Sequence, residues 1–100
     1  MTALTGKKLT DAEVSSAIQD LKGWELKNGE IVKTFKFESF IDAISFVNEV
    51  ADLADELDHH PDMLIQYNKV TLTLSTHSAG GLTDKDFFLA SEIETPENSS

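Results

Sequence analysis

Apolar positions recur along this chain with two periods, and the switches between them mark its elements. Val14, Ala17, Ile18 and Leu21 are spaced three and four apart, the period of an amphipathic helix. Thr10-Asp-Ala-Glu13 opens that helix as a capping box, and Gly23 stops it. From Trp24 to Phe37 the pattern is strand-like on both sides of Asn28-Gly29, the favoured dipeptide of a tight type I′ hairpin turn. Ile31, Lys33, Phe35 and Phe37 fall on one side of the second arm, a mostly apolar face.

Ser39-Phe-Ile-Asp42 is a second capping box and begins the longest helix, about residues 40 to 58. Its polar positions Asp42, Ser45, Glu49, Asp52 and Glu56 step by three or four. Phe40, Ala43, Ile44, Val47, Val50, Ala51, Ala54 and Leu57 form the expected core stripe opposite. His59-His60-Pro61 closes it, because proline disfavours helical geometry at the residue before it. Met63 to Tyr67 and Lys69 to His77 read as two further strands. In the second, Val70, Leu72 and Leu74 point one way and Thr71, Thr73, Ser75 and His77 the other, a half-buried strand with a wet face. Gly80-Gly81 turns the chain, and Thr83-Asp-Lys-Asp86 is a third capping box, opening a helix to about Glu94.

The predicted order is α-β-β-α-β-β-α: an α+β fold with a four-stranded antiparallel sheet and three helices on one face. One hundred residues make a single domain, with loosely ordered ends outside about residues 8 to 95. Four strands leave exposed edges, and pairing them between copies is one escape, so a homo-oligomer is expected.

Charge narrows the partners. Eighteen acids against eight bases give a net charge of −10, and every base is lysine. Without arginine forks or a basic patch the chain is a poor binder of nucleic acid or an anionic membrane. No cysteine is present, so there is no disulfide, thiolate metal site or cysteine nucleophile. The longest apolar run, Phe87-Phe88-Leu89-Ala90, is far short of a membrane span or a signal-peptide core. The expectation is a soluble cytoplasmic protein.

Candidate chemistry gathers at element ends. His59 and His60 sit at a helix C-terminus and His77 at the end of a wet strand face; histidine is the side chain best matched to acid–base work near neutrality. The bland alternative for the pair is a favourable contact with the helix dipole. Eight acids and no lysine lie between Lys36 and Lys69, and nearby carboxylates favour imidazolium, although most of that run reads as a solvated face. Adjacent helical residues point about 100° apart, so the pair is no chelate of the i, i+4 type, and no H-E-x-x-H spacing exists. Asp86 has two readings, a helix cap alone or a cap that also orients an imidazole. Trp24 and Tyr67 could stack on a planar ligand, but each reads more simply as core. No glycine-rich phosphate loop or G-x-S-x-G elbow is present.

These residues also carry a likeness. Asp55-Glu-Leu-Asp-His-His-Pro61, Tyr67-Asn-Lys-Val70, Leu74-Ser-Thr-His77 and Asp86 resemble the signature of the pterin-4a-carbinolamine dehydratases, also known as dimerisation cofactors of a homeodomain transcription activator. The resemblance spans roughly residues 10 to 94. It implies the fold read above, assembly into dimers or tetramers, and dehydration of 4a-hydroxytetrahydropterin, the spent cofactor of aromatic amino acid hydroxylases, to the quinonoid dihydropterin. That reaction uses no metal and no redox cofactor. On the family pattern His59 and His77 are acid–base catalysts, His60 binds the pterin, Asp86 orients and polarises the site, and Asp55 tunes the histidine pair. Ser75-Thr76-His77 would offer backbone groups to the pterin's amide-like edge. Two departures stand out: Met63 occupies the place where many relatives have tryptophan, and Lys85 that of an arginine in animal relatives. The alternative function is a non-catalytic partner that binds a transcription factor through a helix face.

Overall fold

The computed structural model describes residues 4–98, with side chains as far as Ile93. The elements follow in the order α1 (Asp11–Gln19), β1 (Glu25–Lys27), β2 (Glu30–Lys36), α2 (Phe40–Leu57), β3 (Asp62–Gln66), β4 (Lys69–Leu74), a 3-10 turn (His77–Ala79) and α3 (Asp84–Asn98). This is the predicted α-β-β-α-β-β-α order. The four strands form one antiparallel sheet, β1-β2-β4-β3, so the hairpins meet through β2 and β4.

Local chemistry explains these elements. Thr10 and Glu13 make a reciprocal capping box at α1, with Glu13 N–H on the Thr10 hydroxyl and Thr10 N–H on the Glu13 carboxylate. Asn28 (φ 53°) and Gly29 (φ 78°) both take positive φ in the first hairpin, as a type I′ turn requires. On β2 and β4 every second residue turns inward: Ile31, Phe35, Val70, Leu72 and Leu74 are buried. Ala43, Phe46, Val50 and Ala54 of α2 and Leu89, Ala90 and Ile93 of α3 complete the core. Full burial of one such aliphatic side chain is worth about 1.5–3 kcal/mol. Trp24 is core, edge-on to Phe35 with ring centroids 6.2 Å apart.

Several expectations need correction. Phe40 lies on the outer side of α2, 45% exposed, and Phe46 takes the core position instead, its ring 4.7 Å from Phe35 and 5.0 Å from Phe37. The apolar stripe therefore turns further round the helix than Phe40 implied. Tyr67 is not core; it is 71% exposed with φ 55° in the β3–β4 turn, at the sheet end opposite the histidines. β4 stops at Leu74, because Thr76 leaves the ladder to close a turn in which its N–H donates to the Gly81 carbonyl and its carbonyl accepts from Ala79 and Gly81. The N-terminal segment is anchored from Thr5 onward: Thr5 and Gly6 N–H donate to the Asp84 carboxylate, and Leu9 N–H to the Leu82 carbonyl. Helix α3 continues beyond Glu94, through Thr95 and Pro96, to Asn98; Ser99 and Ser100 lie outside the described residues. Among the described residues no helix is long and apolar enough to cross a membrane.

Candidate active site

The end of α2 sets the first histidine. Asp58 adopts the left-handed conformation (φ 53°, ψ 44°), and the chain closes with Asp58 N–H on the Asp55 carbonyl and His59 N–H on the Ala54 carbonyl. This paired closure is a Schellman motif, with aspartate where glycine is usual. It ends the helix before Pro61 acts, and it fixes the His59 backbone against the last turn of α2.

Asp86 meets that imidazole from α3. The Asp86 carboxylate is fully buried, and its Oδ1 lies 2.5 Å from His59 Nε2. Its Oδ2 accepts from the Thr83 N–H at 2.9 Å and from the Thr76 hydroxyl at 2.8 Å. Thr76 spends its single hydroxyl proton there, so the 2.9 Å contact between Thr76 and Thr83 has Thr83 as donor. Both Asp86 oxygens are thus engaged, Oδ2 by two donors and Oδ1 by the His59 ring. His59 Nδ1 has no hydrogen-bond partner among the described residues. One oxygen of Asp86 thus serves the helix start and the other meets the His59 imidazole.

The other two histidines are more open. His60 Nε2 lies 2.9 Å from Asp55 Oδ1, with His60 58% and Asp55 82% exposed. Exposed pairs of this kind contribute at most about 1 kcal/mol. His77 sits in the 3-10 turn, its Nε2 3.4 Å from the Ser75 hydroxyl, which donates to Glu30 Oε2 at 3.3 Å. Ser75 and His77 line a cleft of about 580 Å³ that also has Glu30, Lys8 and the Asn28-Gly29 turn on its walls. Thr76, between them, also lines the cleft and ties it to the buried Asp86 and His59.

The structure thus gathers Asp55, His59, His60, Ser75, Thr76, His77 and Asp86 at one end of the sheet, where β3 begins and β4 ends. Met63 stands apart: it pairs with Leu72, is half-buried against the core and does not line the cleft. Lys85 extends over Gly6, 3.3 Å from where a Cβ would stand. Thr83, Glu30 and Lys8 were not singled out from sequence; only Thr83, as a helix cap, carried a local signal. Among the described residues no group of three or more metal-ligating side chains converges.

Comparison with known proteins agrees with the resemblance. The family model described as "Pterin 4 alpha carbinolamine dehydratase" matches residues 7–95. A Roseiflexus castenholzii protein named "Putative pterin-4-alpha-carbinolamine dehydratase" is 55% identical over 86 residues, 86% of this chain and 92% of that protein. One of the same name from Sulfurisphaera tokodaii is 49% identical over 88 residues, covering 88% and 95%. Among solved structures, a transcriptional coactivator/pterin dehydratase from Brucella melitensis superposes with a TM-score of 0.86 at 36% identity, covering 89% of this chain and 97% of that one. With the match spanning nearly the whole fold, this chain belongs to the pterin-4a-carbinolamine dehydratase family.

Proposed function

We propose that this chain dehydrates a 4a-hydroxytetrahydropterin to the quinonoid dihydropterin and water by histidine acid–base catalysis. The observation that carries the reading is the contact of His59 with the buried Asp86, in a chain of a family described by this activity. The reaction breaks the C4a–O bond, with the electron pair leaving on oxygen. It needs one proton delivered to that oxygen and one removed from N5, whose freed pair forms the C4a=N5 double bond. His59, through Nδ1, and His77 exchange these two protons. Asp86 keeps the proton of His59 on Nε2 and stabilises the imidazolium whenever Nδ1 also carries one. His60, held by Asp55, contacts the pterin. Thr76 uses its own N–H and carbonyl within the turn, so the backbone contact to the pterin's amide-like edge falls to Ser75.

The test is a stopped-flow assay of synthetic 4a-hydroxytetrahydropterin with wild type, His59→Ala and His77→Ala, the fold being checked by circular dichroism. Loss of about a hundredfold in kcat for either variant supports the reading, the usual worth of a positioned acid or base. A wild type no faster than buffer overturns it.

The same reading includes a homo-oligomer. β3 is an edge strand, and Leu64 (55%), Ile65 (38%) and Tyr67 (71%) expose apolar surface along it and its turn. A second reading, a helix-mediated partner role, is favoured by Phe40 and Ile41, 45% and 68% exposed on the first turn of α2. That role would survive His77→Ala; catalysis would not.

A further inference from the structure

Among the described residues three polar side chains are buried, Thr76, Thr83 and Asp86, and they are bonded to one another. Burying a polar group costs free energy unless it finds a partner, so such a cluster needs a physical reason. The start of α3 accounts for two of its members, since the Asp86 carboxylate accepts the Thr83 N–H there. It does not account for Thr76. That residue precedes the 3-10 turn His77–Ala79, where a threonine hydroxyl commonly caps the free amides, yet it makes no side-chain bond of that kind. The hydroxyl turns inward instead and donates to Asp86 Oδ2 at 2.8 Å. A chain of donors backs it: the Lys85 N–H lies on the Thr83 hydroxyl at 3.2 Å, and the Thr83 hydroxyl on that of Thr76 at 2.9 Å.

Thr76 also stands between the two acid–base groups of the proposed reaction. Its backbone closes the turn that carries His77, its carbonyl accepting from Ala79 and Gly81 and its N–H donating to the Gly81 carbonyl. Its side chain reaches the carboxylate whose other oxygen meets the His59 ring. We propose that Thr76 is a positioning residue for dehydration: its hydroxyl, acting through Asp86, fixes the His59 ring relative to the His77 turn. The spacing of the two groups that exchange protons with the substrate is then set by one buried hydrogen bond. A misplacement of about 1 Å at a reacting centre can cost on the order of a hundredfold in rate. This role rests on the dehydratase reading and adds to it a residue that governs turnover from beneath the site.

The test compares Thr76→Val, which keeps the shape and loses the donor, with Thr76→Ser, which keeps the donor and loses a methyl group. Turnover of synthetic 4a-hydroxytetrahydropterin is followed by stopped flow, and folding by circular dichroism. Thr76→Val should lower kcat at least about tenfold with KM within about twofold, the mark of an interaction that serves the transition state. Thr76→Ser should recover kcat to within about threefold of wild type. In an Asp86→Asn background Thr76→Val should cost less than about twofold more, because residues acting as one unit are not additive. Should the valine variant not fold, Thr76→Ala against Thr76→Ser decides the same question, since the two differ only in the hydroxyl. With an active wild type, three results would each overturn the role of Thr76 and leave the dehydratase reading standing. These are full kcat without the hydroxyl, a serine variant as slow as the valine one, and an equal loss in both Asp86 backgrounds. A wild type no faster than buffer removes both.

Discussion

Asp86 shows how one side chain can hold two scales of structure together. Its Oδ2 accepts from Thr83 and Thr76, and its Oδ1 meets His59 Nε2. Asp86→Asn keeps one oxygen for the threonines and turns an NH₂ toward His59 Nε2. The ring must then accept at Nε2 and carry its proton on Nδ1, the wrong tautomer for a base at that atom. We expect kcat to fall at least about a hundredfold, with stability reduced by roughly 1–3 kcal/mol for the weakened buried network. Urea denaturation alongside turnover checks both; a variant with full turnover would refute the orienting role. From sequence the carboxylate was legible as a cap and as a partner for some imidazole. That the imidazole is His59, 27 residues away, follows only once α2 and α3 pack side by side.

At the scale of elements, boundaries set by local chemistry were legible and those set by distant contacts were not. The Thr10 box and the Asn28-Gly29 turn involve residues within three positions of one another, and both formed as read. The early end of β4 depends on Gly81, and the docking of residues 5 to 9 depends on Asp84 and Leu82, across nearly the whole chain. Asp84 also gives this docking a pH dependence. Desolvation raises its carboxyl, but donors from the Thr5 and Gly6 backbone, the Thr5 hydroxyl and the Lys85 N–H outweigh that and hold it below its ordinary value of 3.8. A carboxyl depressed in the folded state stabilises above its unfolded value, and the contribution disappears as pH falls through the folded one. The amide resonances of Thr5 and Gly6 should therefore stay fixed from neutrality to about pH 4 and move toward unfolded positions below it. In Asp84→Asn they should show no such transition; an unchanged transition there would assign the effect to another group.

At the scale of the whole molecule, a net charge of −10 opposes self-association while the apolar β3 edge favours it. Sedimentation equilibrium should find a homo-oligomer that tightens with salt, since screening weakens the repulsion and leaves apolar burial intact. Leu64→Lys combined with Tyr67→Lys should yield a folded monomer; a monomeric wild type would remove the edge from consideration. The shared carboxylate of Asp86 has a consequence on this scale too. A chain whose third helix has peeled away has also let go of the His59 ring, so on the proposed mechanism partial unfolding should produce a silent molecule instead of a sluggish or indiscriminate one. On that mechanism chemical competence becomes a report on structural integrity, the domain being armed only when its last helix has docked.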